Sequence, residues 1–120
     1  MTVEKVVLGQ IEPVFFDLIV YLGVVDDVLE VARSGFDWSL VTDLLALLGK
    51  ATMAAGVVPP SSDYGLVTVS EEIGSPRSGS YGDVDHSREL MRKILRVAAD
   101  KLGSKALPVL GPLIEAKSWA

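Results

Sequence analysis

The chain has 120 residues, the size of a single domain, and it contains no cysteine, which excludes disulfides, thiolate metal sites and cysteine nucleophiles. Hydrophobic residues make up 49% of the chain and charged residues 22%, which is typical of a folded protein and not of a disordered one. The mean hydropathy is +0.39. A chain of this size has a limited interior, so we expect part of its apolar surface to lie at an interface.

The net charge of −5 is unevenly distributed along the chain. Residues 1–50 carry −5, residues 51–86 carry −4 and residues 87–120 carry +4. Opposite charges attract, so the sequence predicts contact between the acidic and basic parts, either within one chain or between two copies. The simpler interpretation is a solvated basic face on one helix.

The first half of the chain predicts one strand followed by two apolar helices. Aliphatic residues over 3–8 predict a short, mostly buried strand that Gly9 ends. Pro13 suits the first turn of a helix over 13–33, and a second helix is predicted over 39–55 with Gly56 as its stop. Apolar residues occupy most sides of both helices, which is typical of helices in a core or at an oligomer contact.

The second half predicts a linker, a strand, a loop and a basic helix. Pro59 and Pro60 interrupt the chain over 57–63, and alternation over 64–70 indicates a strand. Glycine, serine and proline over 73–83 predict a flexible loop. A helix over 84–103 follows, ending at Gly103, and residues 104–120 are expected to form a docking tail on the core.

These elements predict a single helix-dominated α+β domain over residues 1–120. The predicted order is strand, helix, helix, strand, helix and short helix, with a small two-stranded sheet. The two strands are expected either to pair in parallel across a right-handed crossover or to be too short to define the fold. In the second case the protein is a helical bundle with a small sheet on one edge.

The composition favours a non-enzymatic structural or assembly protein. We expect it to form a homo-oligomer or to dock on a protein partner within a larger assembly, such as a virion-like particle, through its apolar helices. Trp119 is large enough to anchor the docking tail or a partner. The residues expected at the contact are Phe15, Phe16, Leu18, Ile19, Leu22, Leu44, Leu47, Leu48 and Trp119.

The alternative is an accessory nucleic-acid-binding protein that uses the basic helix over 86–102. Five bases on one helix can follow a phosphate backbone. Acidic residues dilute this face, the whole chain is acidic, and no known nucleic-acid-binding motif accompanies the helix. The bases that would make the contact are Arg88, Arg92, Lys93, Arg96 and Lys101.

The sequence contains no catalytic motif, so we expect no enzyme, no cofactor and no metal site. A small enzyme centred on Asp83, Asp85 and His86 is the third hypothesis, because carboxylates and an imidazole are metal ligands. Their spacing matches no known metal loop. Capping of the following helix explains the aspartates better, because carboxylates near a helix start accept from its free amides.

The first residues lack the pattern of a secretion signal, because Glu4 precedes Lys5 and polar residues interrupt the apolar run. The same interruptions argue against a membrane span. We therefore expect the protein to lie in the cytoplasm or inside an assembled particle. The interrupting residues are Gln10, Glu12, Pro13 and Asp17.

Overall fold

The computed structural model describes residues 4–35, 38–61, 65–73 and 84–115. It shows a helix-dominated α+β fold with five α-helices and a small two-stranded sheet, as the sequence predicts. The elements are β1 (Glu4–Ile11), α1 (Pro13–Leu22), α2 (Val25–Gly35), α3 (Trp38–Ala54), β2 (Val67–Ile73), α4 (Val84–Leu102), a 3₁₀ turn (Ser104–Ala106) and α5 (Leu107–Glu115).

The two strands pair antiparallel, so the expected parallel crossover is wrong. The register pairs Ile11 with Val67 and Glu4 with Ile73. The helices between the strands therefore leave and rejoin the sheet at the same end, whereas a parallel pair needs the chain to return to the opposite end. β2 also runs to Ile73, three residues beyond its predicted end, because it pairs along the whole of β1.

Gly9 does not end β1, contrary to the sequence prediction. The strand continues to Ile11, with an irregularity in the pairing between Val7 and Gly9. The Trp38 indole lies so close to Gly9 that a Cβ there would overlap it, which explains glycine at this position. The expectation of a mostly buried strand is also wrong, because Val6 and Val7 are 45% and 58% exposed.

The predicted helix over 13–33 is two helices, α1 and α2, separated at Gly23. Gly23 adopts a left-handed conformation with φ of 75°. Its N–H donates to the Val20 carbonyl at 3.1 Å, and the Val24 N–H donates to the Ile19 carbonyl at 3.0 Å. These two bonds form a Schellman motif, which ends a helix. Helical periodicity continues on both sides of Gly23, so the apolar pattern alone does not reveal the break.

The core lies where the five helices meet each other and the sheet. The apolar face of α4 is buried as its periodicity predicts, and α2 packs along it. The helix ends at Leu102, and Gly103 follows with a left-handed φ of 86°. In the C-terminal part, Ala106 and Leu110 are fully buried, and α5 packs on α3 and α4. The predicted loop residues 74–83 lie outside the described residues.

Candidate docking groove

Most of the residues predicted to form an interface are part of this chain's own core. The sequence pattern identified apolar helix faces but not which of them the fold itself covers. Phe15 and Leu47 stay partly exposed, and Trp119 lies outside the described residues. The buried members are Phe16, Leu18, Ile19, Leu22, Leu44 and Leu48, and of these only Leu18 also lines a groove at the surface.

An apolar groove of about 540 Å³ lies between the start of α1, the last turns of α3 and the segment that follows α3. Two of the predicted interface residues, Phe15 and Leu18, form part of its wall. The full lining is Val14, Phe15, Asp17, Leu18, Gly49, Thr52, Met53, Val57, Val58, Pro59 and Ser61.

Gly49 of α3 faces Phe15 and Leu18 of α1 in the lining of the groove. A Cβ at this position would lie 3.7 Å from Cε1 of Phe15 and 4.0 Å from Cδ2 of Leu18, which is ordinary van der Waals contact. The hydroxyl of Thr52 donates to the Leu48 carbonyl at 2.7 Å. Its hydrogen bond is therefore made within α3, and the hydroxyl does not need a partner in the groove.

The segment after α3 forms the third wall because the chain turns at Gly56, two residues after the end of the helix. Gly56 has a left-handed φ of 72°, and its N–H donates to the Met53 carbonyl at 3.0 Å. The Val57 N–H donates to the Thr52 carbonyl at 3.1 Å, which completes a second Schellman motif. This turn brings Val57 and Val58 back against the end of α3 as lining residues of the groove.

Large apolar side chains are exposed around the groove. Val14 is 65% exposed, Met53 81% and Val58 89%. Single exposed apolar residues are common on protein surfaces, whereas these three line the same concavity. Asp17 contributes one carboxylate to the lining, which is otherwise mostly apolar. The groove therefore suits an apolar group that has a base close to it.

The basic helix α4 uses part of its charge within the chain. Nζ of Lys93 lies 3.6 Å from Oδ1 of Asp27, and Nε2 of His86 lies 3.7 Å from Oε1 of Glu30. Both acidic partners belong to α2, which packs along α4. The Lys93–Asp27 pair therefore joins the acidic and basic parts of the sequence inside one chain.

The remaining bases of α4 differ in their exposure. Nζ of Lys101 lies 5.0 Å from the centre of the Tyr21 ring, in a cation–π contact. Arg88 and Arg92 are half-buried, and each has further interactions within the chain. Arg96 is exposed. The three arginines share one flank of α4 through their four-residue spacing, but most of the predicted nucleic-acid contacts already have roles in the fold.

Of the eleven residues that line the groove, only Phe15 and Leu18 belong to the predicted interface, and the other nine include Met53, Val57 and Val58. The sequence predicts only a break between elements over 57–63, because that segment contains two consecutive prolines. Two consecutive valines beside two prolines were the available signal, since apolar residues are unusual in a solvated linker. Their role needed the turn at Gly56, which the sequence indicated only as a helix stop.

The described residues also bear on the metal-site and membrane-span hypotheses. Among the described residues there is no group of three or more side chains suited to hold a metal ion, while the side chains of Asp83 and Asp85 lie outside them. Within the same ranges, every helix is too short or too polar to cross a membrane.

Comparison with protein-family models, with curated proteins and with solved structures found no match to this chain. The groove and the surface of α4 are therefore the features from which a function can be inferred.

Proposed function

We propose that this protein is a non-enzymatic assembly subunit that self-associates through the apolar groove between α1 and α3. The observation that supports the proposal is the grouping of Val14, Met53 and Val58, all strongly exposed, around a concavity of about 540 Å³. Water contact with such a surface is unfavourable, and covering one large apolar side chain contributes about 1.5–3 kcal/mol. A second copy of the chain is the occupant of this surface.

A two-fold arrangement suits such a contact, because each copy then offers the same groove to the other. A stable dimer buries about 1,200–2,000 Å² in total, so the interface extends beyond the groove to its apolar rim. The helices involved, α1 and α3, correspond to the two apolar helical regions that the sequence pattern singled out. The contact uses their exposed residues instead of those that form the core.

Nucleic-acid binding by α4 has weaker support. Lys93 contacts Asp27 and Lys101 contacts Tyr21, and Arg88 and Arg92 have further interactions, so four of the five bases already interact within the chain. Retention of nucleic acid at low salt and its release at high salt would favour this alternative, because phosphate contacts weaken as salt rises. A complex that is salt-stable and free of nucleic acid favours self-association through apolar surface.

The proposal is tested by light scattering coupled to size-exclusion chromatography, with the full chain compared to its Met53→Glu variant. The wild type is expected to form a dimer, and the variant to raise the dimer dissociation constant by about tenfold or more, because the interface would bury an unpaired carboxylate. Leu107→Glu is the matched control, since Leu107 is exposed on α5 outside the groove. A monomeric wild type, or a Met53→Glu dimer as tight as wild type, contradicts the proposal.

A further inference from the structure

One side of α3 is exposed from its first turn to its last. The exposed side chains recur about one helical turn apart, so they follow a single line along the helix. Gly49 and Met53 also line the groove, so this side of α3 is continuous with it. The exposed residues on this side are Ser39, Thr42, Asp43, Ala46, Lys50 and Met53.

This side of α3 carries one acid and one base. Asp43 is the only acidic residue of α3, and Lys50 is its only basic residue. Both are exposed, and within the described part of the chain neither has an ion-pair partner. They are seven positions apart, which places them on the same flank of the helix and roughly 10 Å apart along its axis. That separation is too large for the two charges to contact each other within one helix.

The spacing of these charges is self-complementary in an antiparallel pair of α3 helices. A two-fold axis perpendicular to the helices reverses their direction and brings the same flank of each helix together. When the axis passes between Ala46 and Leu47, Asp43 of each copy lies level with Lys50 of the other. A parallel pair would instead place each charge level with its own counterpart, so it would gain no attraction.

We propose that two copies associate by antiparallel packing of their α3 helices, with reciprocal Asp43–Lys50 contacts on either side of Ala46. This inference rests on the proposed self-association and assigns the direction and register of the contact. The short side chain of Ala46 lets the helices approach closely at the axis. Leu47, a half-exposed member of the predicted interface, lies beside it, and Met53 extends the contact to the groove. The ion pairs fix the register more than they add affinity.

Charge exchange tests the contact by light scattering coupled to size-exclusion chromatography of the full chain. Asp43→Lys or Lys50→Asp alone places like charges together at both contacts, so each is expected to raise the dimer dissociation constant roughly tenfold. The double variant restores both attractions and is expected to dimerise like wild type. A mixture of the two single variants is expected to form a heterodimer, because each copy supplies the charge that the other lacks.

Glu89→Lys is the matched control for these substitutions. It makes the same change of charge at an exposed site on α4, outside the groove, and is expected to leave the dissociation constant unchanged. In dilute solution, where the chain is monomeric, each exposed-site variant is expected to unfold at the same denaturant concentration as wild type. Circular dichroism therefore separates loss of the contact from loss of the fold.

Single cysteines report the direction of the two helices. The chain contains no cysteine, so an introduced thiol can form a disulfide only with its counterpart in the second copy. Ala46→Cys lies at the axis and is expected to form this disulfide under mild oxidation. Ser39→Cys is expected to remain reduced, because antiparallel packing separates the two copies of this position by roughly 20 Å.

The possible outcomes separate this inference from the proposed function. A monomeric wild type overturns the proposed function, and the inference with it. A wild-type dimer that Met53→Glu weakens, but that Asp43→Lys and Lys50→Asp leave equally tight, overturns the inference alone. The same holds if the double variant fails to recover, or if Ser39→Cys forms the disulfide as readily as Ala46→Cys.

Discussion

Gly9 lies within β1 against the indole of Trp38, the first residue of α3. The absence of a side chain allows this approach, because a Cβ would overlap the ring. The sheet therefore packs against α3 at Gly9. The sequence suggested a different role for it, the end of a strand, because glycine is most often a breaker in an aliphatic run.

Gly9→Ala is expected to lower the free energy of unfolding by about 1–3 kcal/mol, the usual cost of overpacking. Chemical denaturation monitored by circular dichroism measures this change. Gly65→Ala is the matched control, because a Cβ there meets no atom within 4 Å. The loss of stability caused by Gly9→Ala should be smaller in a Trp38→Ala variant than in the wild type. An equal loss in both proteins would rule out the indole as its cause.

At the level of elements, the break at Gly23 separates α1 from α2 and allows them to pack on different neighbours. α1 forms one wall of the groove, whereas α2 packs along α4. A continuous helix would have kept both segments on one axis. The Schellman motifs at Gly23 and Gly56 therefore decide where the groove forms and which residues line it.

Gly23→Ala tests whether a helix ends at Gly23, because the substitution is expected to raise stability in a continuous helix and to lower it at a left-handed glycine. In a continuous helix this substitution stabilises the protein by about 1 kcal/mol. In the left-handed conformation observed here, alanine is strained, and we expect a loss of about 1–2 kcal/mol in the free energy of unfolding. Urea denaturation measures whether the free energy of unfolding rises or falls. An increase would contradict a helix end at this position.

For the molecule as a whole, the net charge of −5 conceals an internal arrangement of opposite charges. Asp27 of α2 lies beside Lys93 of α4, Glu30 of α2 lies beside the His86 imidazole of α4, and both helices contribute to the core. The partners are partly exposed, so each pair is worth less than about 1 kcal/mol. Apolar packing between α2 and α4 therefore contributes more to their association than these pairs do.

Charge exchange between Asp27 and Lys93 tests this arrangement. Asp27→Lys or Lys93→Asp alone is expected to lower the free energy of unfolding by up to about 1 kcal/mol, and the double variant to recover most of that loss. The effects should diminish in about 1 M salt, where screening is strong. Asp43→Lys, at an exposed site on α3, provides the control. If the double variant is as unstable as the two single losses combined, the pair does not interact.

The sequence by itself determined the helix-dominated α+β class, the apolar face of α4 and the glycine that follows that helix. These features depend on residues a few positions apart, and periodicity and helix stops are encoded at that range. The charge pattern also indicated that acidic and basic parts attract. It left open whether they meet within one chain or between two.

Only the tertiary structure decided the antiparallel pairing, the separation of α1 from α2 and the exposure of individual apolar residues. Ile19 and Val14 both belong to the apolar pattern of α1, yet Ile19 is fully buried and Val14 is mostly exposed. The difference depends on α3 and the segment after it, which are distant in sequence. Burial is a property of contacts between elements, so a local pattern identifies apolar faces but not which of them remain uncovered.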